Sequence, residues 1–243
     1  MTKLVFSFVA ATALATPALA DLVDAQAPGF SFTISTLGNS GAANSAADFG
    51  SVTQVNAHEW FFNGSTSRPG VGNLSWAYLV DPDPFITGSL NLTNTTGASH
   101  DYIIDFTLSI DPVLLAGSHI AGSFAGTLTD GNGNGSASMT SIGPVYRALG
   151  DGLSIQGLMN NASQSVSNPW GTTSFSGGQF GYPIGSLSGP AIQNTIGIRY
   201  SFTLSDGDSI SFSSMFIANP IPAPGALALA VIVGAVGGRR RRR

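Results

Sequence analysis

The sequence contains no cysteine, which rules out disulfide bonds, thiolate metal ligands and a cysteine nucleophile. Stability must therefore come from an apolar core or from a bound metal. Histidine is also scarce, with only His58, His100 and His119, far apart in the chain. His58-Glu59 begins like an H-E-x-x-H zinc motif, but Phe62 stands at the second ligand position, so a zinc hydrolase is poorly supported.

Positive charge is nearly absent from the body of the chain, residues 21–220. Its only cations are Arg68, Arg147 and Arg199, whereas all thirteen acidic residues lie within it, giving a formal net charge of −10. A surface this poor in cations cannot neutralise many phosphates. We therefore expect neither nucleic acid nor an anionic lipid surface as a partner of the body.

The amino terminus, MTKLVFSFVAATALATPALA, carries the pattern of an export signal. Lys3 precedes an apolar run from Leu4 to about Leu14, and the small residues Ala18-Leu19-Ala20 follow. Such a pattern is typical of a secretory signal peptide, and the run is short for a membrane span. The sequence predicts a signal peptide at residues 1–20, cleaved before Asp21. An uncleaved amino-terminal anchor is the alternative.

The carboxyl terminus contains a short apolar segment followed by clustered arginines. Residues 226–238 are all small or apolar and would form a helix about 20 Å long. A bilayer core is about 30 Å thick, so the segment spans it only if residues 221–224 join the helix. Clustered cations resist translocation, which predicts that residues 239–243 stay in the cytoplasm. Between an export signal and this tail, the body would lie outside the cytoplasmic membrane.

The tail resembles a known sorting signal. It consists of a proline-rich box with linker at residues 219–225, the short transmembrane segment 226–238 and the terminal arginines. The residues that carry the signal are Ile221, Pro222, Ala223, Pro224, Arg239, Arg240, Arg241, Arg242 and Arg243. This arrangement is similar to the PEP-CTERM signal of exported bacterial proteins, although Ala223 stands where that family usually has Glu.

The resemblance implies how the tail is used. It implies a temporary anchor that a membrane-embedded, exosortase-type transpeptidase cuts near the box, after signal peptidase has removed residues 1–20. A permanent tail anchor is the alternative. The resemblance is confined to residues 221–243 and implies nothing about the fold of the body.

The body reads as a series of β-strands. The clearest is HDYIIDFTLSID, in which apolar residues alternate with a period of two and Asp111-Pro112 provides the end. One face would carry Tyr102, Ile104, Phe106, Leu108 and Ile110. Further strands are predicted at residues 30–36, 74–80, 85–93, 118–129, 136–142, 153–158 and 172–180.

Many short strands separated by turn residues, without a capped amphipathic helix, predict an all-β fold for residues 21–218. We expect an antiparallel β-sandwich of jelly-roll or immunoglobulin-like type, with helices only in the signal and the tail. A right-handed β-solenoid is the competing architecture, but no repeat of about 20–30 residues is visible.

The last two strands are predicted to form a hairpin around Asp206-Gly207-Asp208. The inward residues before the turn would face the inward residues after it if the chain reverses about Gly207. The first set is Ile198, Tyr200, Phe202 and Leu204, and the second is Phe216, Ser214, Phe212 and Ile210.

One segment matches half of a calcium-binding loop. In TLTDGNGNGSAS, Asp130, Asn132, Asn134 and Gly135 follow the D-x-[DN]-x-[DN]-G pattern, in which alternate side-chain oxygens converge on a cation. Ser141 stands where the pattern requires a bidentate Glu. Calcium is therefore the one cofactor that the sequence suggests.

Two metal-free interpretations stay open for the acidic segments. Residues 130–135 could be an ordinary hairpin loop that sets Leu128 opposite Ala137 and Gly126 opposite Met139. Asp81-Pro82-Asp83-Pro84 could bind a cation, but a rigid acidic turn between strands is the favoured interpretation.

Tryptophan offers a third kind of site. Trp60 and Trp76 lie in strand-like segments and are expected in the core, whereas Trp170 follows Asn168-Pro169 in a polar stretch and could stack on a sugar ring. Catalytic signatures are missing, because no carboxylate pair stands out and Gly185-Ser-Leu-Ser-Gly189 has Leu at the nucleophile position.

These features predict a non-enzymatic, exported protein of a bacterial cell surface or extracellular matrix. Its role would be structural and associated with exopolysaccharide. The alternative is a carbohydrate-binding module or lectin, with or without calcium.

Overall fold

A computed structural model of the chain describes residues 26–36, 44–45 and 50–221. The predicted signal peptide, residues 1–20, lies outside the described residues. So do residues 222–243, which include most of the proline-rich box, the predicted transmembrane segment and the arginines. Within the described ranges, no helix has the length and apolar character needed to cross a membrane.

Every regular element of the described residues is a β-strand, as the sequence predicts. There are fifteen: β1 (Phe30–Thr36), β2 (Asn44–Ser45), β3 (Gly50–Gln54), β4 (Trp60–Arg68), β5 (Gly72–Asp81), β6 (Phe85–Thr93), β7 (His100–Ser109), β8 (Ser118–Thr129), β9 (Ala137–Gly150), β10 (Leu153–Asn160), β11 (Ser163–Val166), β12 (Thr172–Phe180), β13 (Leu187–Gly189), β14 (Thr195–Leu204) and β15 (Ser209–Pro220).

The strands form two sheets. The seven-stranded sheet has the order β10-β9-β14-β7-β1-β2, with β11 also paired to β9. The eight-stranded sheet has the order β12-β8-β15-β6-β5-β4-β3, with β13 also paired to β8. All of these pairings are antiparallel. The competing solenoid interpretation is therefore wrong for the described residues.

Period-two alternation identified the strands and their buried faces. The five residues that were predicted to share one face, four on β7 and Ile110 directly after it, are all buried. Four predicted strands, β1, β6, β8 and β12, have the predicted bounds. β9 extends eight residues beyond its predicted end at residue 142. For β4, the sequence indicates only a strand-like segment around Trp60.

The core lies between the two sheets and is rich in aromatic rings. Tyr78 of the eight-stranded sheet contacts Phe106 of the seven-stranded sheet, with ring centroids 4.4 Å apart. Across the same interface Tyr200 stacks on Phe212 at 5.1 Å. Burial of such a ring stabilises a fold by roughly 1.5–3 kcal/mol, so these rings hold the sheets face to face without disulfides.

Three hydroxyl groups inside this core form a hydrogen-bonded chain. The Tyr200 hydroxyl lies 2.8 Å from the Tyr78 hydroxyl and 2.6 Å from Oγ of Ser214. Burial raises the pKa of Tyr200 to about 12, although these two hydrogen bonds act in the opposite direction. The chain of hydroxyls therefore stays protonated and links β5, β14 and β15 across the core.

The predicted hairpin around Gly207 is wrong. β14 pairs with β7 and β9 in one sheet, whereas β15 pairs with β6 and β8 in the other. The two inward sets do face each other, as the contact of Tyr200 with Phe212 shows, but across the core. Alternation defines which side chains face inward and leaves open which strand lies alongside.

The hairpin interpretation of residues 130–135 is wrong for the same reason. β8 and β9 belong to different sheets, so Leu128 pairs with Ile210 and Ala137 pairs with Val166. The segment from Asp130 to Ser136 connects the two sheets at one end of the domain.

Successive strands cross repeatedly between the sheets. The order β6-β15-β8 in one sheet is matched by β7-β14-β9 in the other, and β6–β7, β8–β9 and β14–β15 are each consecutive in the chain. The antiparallel ladders therefore continue from one sheet to the other.

Candidate functional site

At one end of the domain, four loops between the sheets converge. They follow β6, β8, β11 and β14. Asn94 joins two of them, because its buried side-chain amide donates to the carbonyl oxygens of Ala98 at 2.8 Å and Leu204 at 2.9 Å. Its backbone N–H donates to the carbonyl of Asp208 at 2.9 Å. We call this region the loop cluster, residues 94–99, 130–136, 167–171 and 205–208.

Asp130 is the centre of the loop cluster. Its carboxylate accepts backbone hydrogen bonds from Gly133 at 2.9 Å, Gly135 at 2.7 Å and Trp170 at 3.2 Å. Burial acts to raise the pKa of Asp130, but hydrogen bonds from Gly135, Gly133, Trp170 and Asn134 outweigh it and hold the pKa below its ordinary value. The ionised carboxylate therefore organises two loops at once.

The other two predicted calcium ligands also have backbone partners. Oδ1 of Asn132 accepts from the N–H of Asn134 at 3.0 Å, and Oδ1 of Asn134 accepts from the N–H of Ser136 at 2.7 Å. The Asn132 amide nitrogen donates to the carbonyl of Asp206 at 2.8 Å. Each side chain thus closes a local turn of the kind that Asn and Asp favour.

These contacts account for the shape of the loop with protein groups alone. Among the described residues, no set of three or more His, Asp or Glu side chains is arranged to hold a metal ion. Side-chain oxygens of Asp130, Asn132 and Asn134 nevertheless come from consecutive turns of one loop. Calcium binding there stays a prediction.

Trp170 lies against the same loop. Its side chain is 68% exposed, and its backbone has a positive φ of 59°. A Cβ atom on Gly133 would lie 2.2 Å from the indole Cε2, so only glycine permits this contact. The ladder between β8 and β12 pairs Thr129 with Thr172, which brings Trp170 beside Asp130. The structure therefore joins two candidates that the sequence presented separately.

Two further carboxylates, those of Asp206 and Asp208, belong to the loop cluster. Asp208 is buried and accepts hydrogen bonds from the Ser205 hydroxyl and from the Gly131 N–H, the latter at 3.2 Å. Burial raises the pKa of Asp208, and repulsion from Asp130 and Asp206 adds to the rise against these hydrogen bonds. The pKa values of Asp130 and Asp208 are therefore shifted in opposite directions.

A second candidate site lies at the opposite end of the domain. It is a cleft of about 350 Å³, whose lining includes His58, Trp60, Asp81, Asp83 and Asp111. The Asp111 N–H donates to the carbonyl of Pro82 at 3.1 Å, which holds the end of β7 against the turn between β5 and β6. We call it the acidic cleft.

The acidic cleft only partly matches the sequence prediction. Burial raises the pKa of Asp81, and repulsion from Asp83 and Glu59 adds to this. The sequence predicts an acidic turn at Asp81-Pro82-Asp83-Pro84, whereas it identifies Asp111 only as the end of a strand. Trp76 is buried, as predicted, but Trp60 is only partly buried and lines the cleft while packing on the core.

Comparisons with known proteins give no family for this chain. No model of a known protein family matches it, and no curated protein is detectably similar. Its function is therefore inferred from its sequence and its surface chemistry.

Proposed function

We propose that this chain is a non-enzymatic protein of a bacterial cell surface or extracellular matrix, exported and associated with exopolysaccharide. One observation carries the proposal: an export-type amino terminus, a cysteine-free acidic β domain and a proline-led tail with five arginines follow one another. Aromatic contacts hold the two sheets of the described domain together without disulfides.

The route that we propose has two processing steps. Signal peptidase removes residues 1–20, and residues 226–238 then hold the protein in the membrane while residues 239–243 remain inside. An exosortase-type transpeptidase acts near residues 221–224. Ile221 directly follows the end of β15 at Pro220, so a cut within residues 221–224 would leave the described strands whole.

We infer a β-sandwich of jelly-roll type, in preference to the immunoglobulin type. The matched orders β6-β15-β8 and β7-β14-β9 support this, because a jelly roll continues its antiparallel ladders from sheet to sheet. Lectin domains are among the proteins that use this architecture, although a fold alone does not establish a function.

Protease treatment of intact cells tests the location. We expect external protease to degrade the domain, and cell fractionation to find the protein in envelope and medium. Replacing Arg239–Arg243 with Ser should impair retention at the membrane before processing, because the cations hold that end inside. A protein that stays protected in the cytosol until the cells are lysed would contradict the proposal.

The second candidate is a carbohydrate-binding module or lectin. The exposed Trp170 indole favours it, because a rigid aromatic face held on Gly133 can stack on a sugar ring. We expect glycan-array binding that disappears in Trp170→Ala and persists in Trp170→Phe. Calorimetry with millimolar calcium at neutral pH tests the metal, and no heat would remove calcium from the account.

A further inference from the structure

The outer face of the eight-stranded sheet has an unusual composition. On β15, Ile210 and Phe212 point into the core, whereas Ser209, Ser211 and Ser213 alternate with them and are not buried. On β4, β5, β6, β8 and β12, the residues that pair in register with these serines lie on the same outer face.

Strand pairing arranges these outward residues in three rows, each crossing six strands. The rows are Thr172-Thr129-Ser209-Thr93-Asn73-Ser67, Ser174-Thr127-Ser211-Asn91-Ser75-Ser65 and Ser176-Ala125-Ser213-Ser89-Ala77-Asn63. Sixteen of these eighteen residues are Ser, Thr or Asn, and none is buried. We call the three rows the hydroxyl face.

The hydroxyl face carries no charge. Asp, Glu, Lys and Arg are absent from residues 61–67, 73–79, 85–93, 121–129, 172–180 and 209–219. The body as a whole has a formal net charge of −10. Its charges therefore lie elsewhere, although solvent-exposed surfaces generally mix charges of both signs to stay soluble.

Part of the hydroxyl face is concave. A groove of about 320 Å³ crosses β4, β5 and β6, and its lining includes Ser65, Ser67, Asn73, Ser75, Asn91 and Thr93. Every one of these side chains can donate and accept hydrogen bonds. The face therefore offers a preformed recess in addition to a flat array.

The spacing of the array is regular. Neighbouring strands lie about 4.8 Å apart and alternate residues of one strand about 6.8 Å apart, so the three rows cover about 24 Å by about 14 Å. Strand pairing holds the backbone of these residues in place. A ligand that bonds to many of them therefore orders only short side chains, which costs little conformational entropy.

From this chemistry we propose that the hydroxyl face binds an uncharged polysaccharide, with one chain in the groove across β4, β5 and β6. A neutral polysaccharide presents closely spaced hydroxyl groups that donate and accept, as the face does. It also carries no charge that the acidic body would repel. The inference rests on the proposed function and identifies the class of polysaccharide.

Other partners fit this surface less well. A protein partner usually needs large apolar or aromatic anchors, and the three rows contain none. Nucleic acids and anionic lipids need cations, which the rows lack. A cationic ligand would be attracted to the carboxylates at the two ends of the domain instead.

Affinity electrophoresis of the purified chain tests the proposal. The gels contain dextran, galactomannan or hydroxyethyl cellulose as neutral probes, and alginate or chitosan as charged probes. Sedimentation with insoluble cellulose and chitin extends the neutral set. We expect at least one neutral polysaccharide to retard or retain the protein, unchanged between low and high salt. Failure with every neutral probe would overturn the proposal.

Surface variants locate the site. Ser75, Asn91 and Ser211 are exposed neighbours in the central row. Replacing all three with Asp should weaken binding about tenfold or more, because three hydrogen-bonding groups are replaced by charges that hold their water. A matched control replaces the exposed Ser154, Ser163 and Ser165 of the seven-stranded sheet with Asp and should bind normally.

Three results would overturn the inference. Equal loss in both triple variants would mean that added charge alone prevents binding. Loss in Trp170→Ala with normal binding in the central-row variant would assign the site to the loop cluster. Thermal hysteresis in ice, without polysaccharide binding, would show that the array orders water instead. Unchanged thermal midpoints confirm that the variants are folded.

The assay distinguishes this inference from the proposed function. It uses purified protein, so failure of every neutral probe leaves export and surface location unaffected. If the purified protein binds a neutral polysaccharide but is found in cells only in the cytosol, the binding site is supported and the proposed role at the cell surface is wrong.

Discussion

The outer faces of the two sheets contrast sharply in charge. The seven-stranded sheet presents a charged face with Asp101 and Asp105 on β7, Arg147 on β9 and Arg199 on β14. Arg199 binds Asp105 through two hydrogen bonds, Nε to Oδ1 at 2.6 Å and Nη2 to Oδ2 at 2.8 Å. The three rows of the hydroxyl face contain no charged residue.

The contrast shows that one outer face carries charged side chains, whereas the hydroxyl face carries only neutral ones. Both sheets bury the same kind of inward residue, so the core does not require their outer faces to differ. Alternation permits each outward position to vary independently of the inward ones. The neutral array is therefore a property of the surface, and its consequences should be measurable apart from stability.

The largest expected effect is a difference in stability between substitutions on the inward and outward sides of β15. Phe212→Ala should lower the free energy of unfolding by about 3–5 kcal/mol, because it leaves a cavity between the sheets. Ser211→Ala, one residue away on the hydroxyl face, should change it by less than about 0.5 kcal/mol. Chemical denaturation measures both. A large cost for Ser211→Ala would mean that the outer row is part of the stabilising structure.

The next effect is the pH dependence of stability. Lowering the pH should protonate the carboxylates and leave the hydroxyl face unchanged. The pKa of Asp130 is lower in the folded protein than its ordinary value near 3.8, so its ionised form stabilises the fold above that pH. That contribution is lost as the pH falls through the lower, folded pKa.

Thermal melting against pH tests this effect. Asp130→Asn should lower the melting temperature at neutral pH. On acidification, the melting temperature of this variant should fall less than that of the wild type. Asp208 has a raised pKa, so its ionisation opposes folding as the pH rises, and Asp208→Asn should change the pH dependence in the opposite sense. Polysaccharide binding should stay constant from about pH 5 to pH 8, because Ser, Thr and Asn do not titrate there. If polysaccharide binding declined with pH together with the ionisation of the carboxylates, the binding surface would not be the neutral hydroxyl face.

The smallest expected effect compares one pair from each face. Arg199 and Asp105 are partly exposed, so breaking their ion pair with Asp105→Ala should cost about 1 kcal/mol or less, and the cost should decrease at high salt. On the hydroxyl face, Oγ1 of Thr93 lies 2.8 Å from Oγ of Ser209. Ser209→Ala should have a cost of similar size that salt does not change. A double-mutant cycle at two ionic strengths measures the Arg199–Asp105 term, and equal salt dependence of both pairs would remove the distinction.

Sequence alone predicted the elements and their inward faces well, because each depends on neighbours two residues apart. The strand at β7 and the all-β class follow directly from that period. Pairing between strands could not be read in the same way. Ser205–Asp208 looks like a hairpin turn, yet β14 and β15 each bond to other strands, and alternation is the same in either case.

The candidate site depended on the same missing information. Asp130 and Trp170 are forty residues apart, and only the pairing of Thr129 with Thr172 brings them together. Asp111 reaches the acidic cleft through the bond of its N–H to Pro82. The hydroxyl face could not be predicted from the sequence, because the Ser, Thr and Asn residues of one row come from six strands that are far apart in the chain.

Intact mass spectrometry of the native protein, from cells and from medium, shows whether the chain is exported and cut at both ends. We expect a mature chain that begins at Asp21 in both fractions and, in the medium, lacks Arg239–Arg243. Recovery of the uncleaved 243-residue chain from the cytosol alone would contradict this expectation.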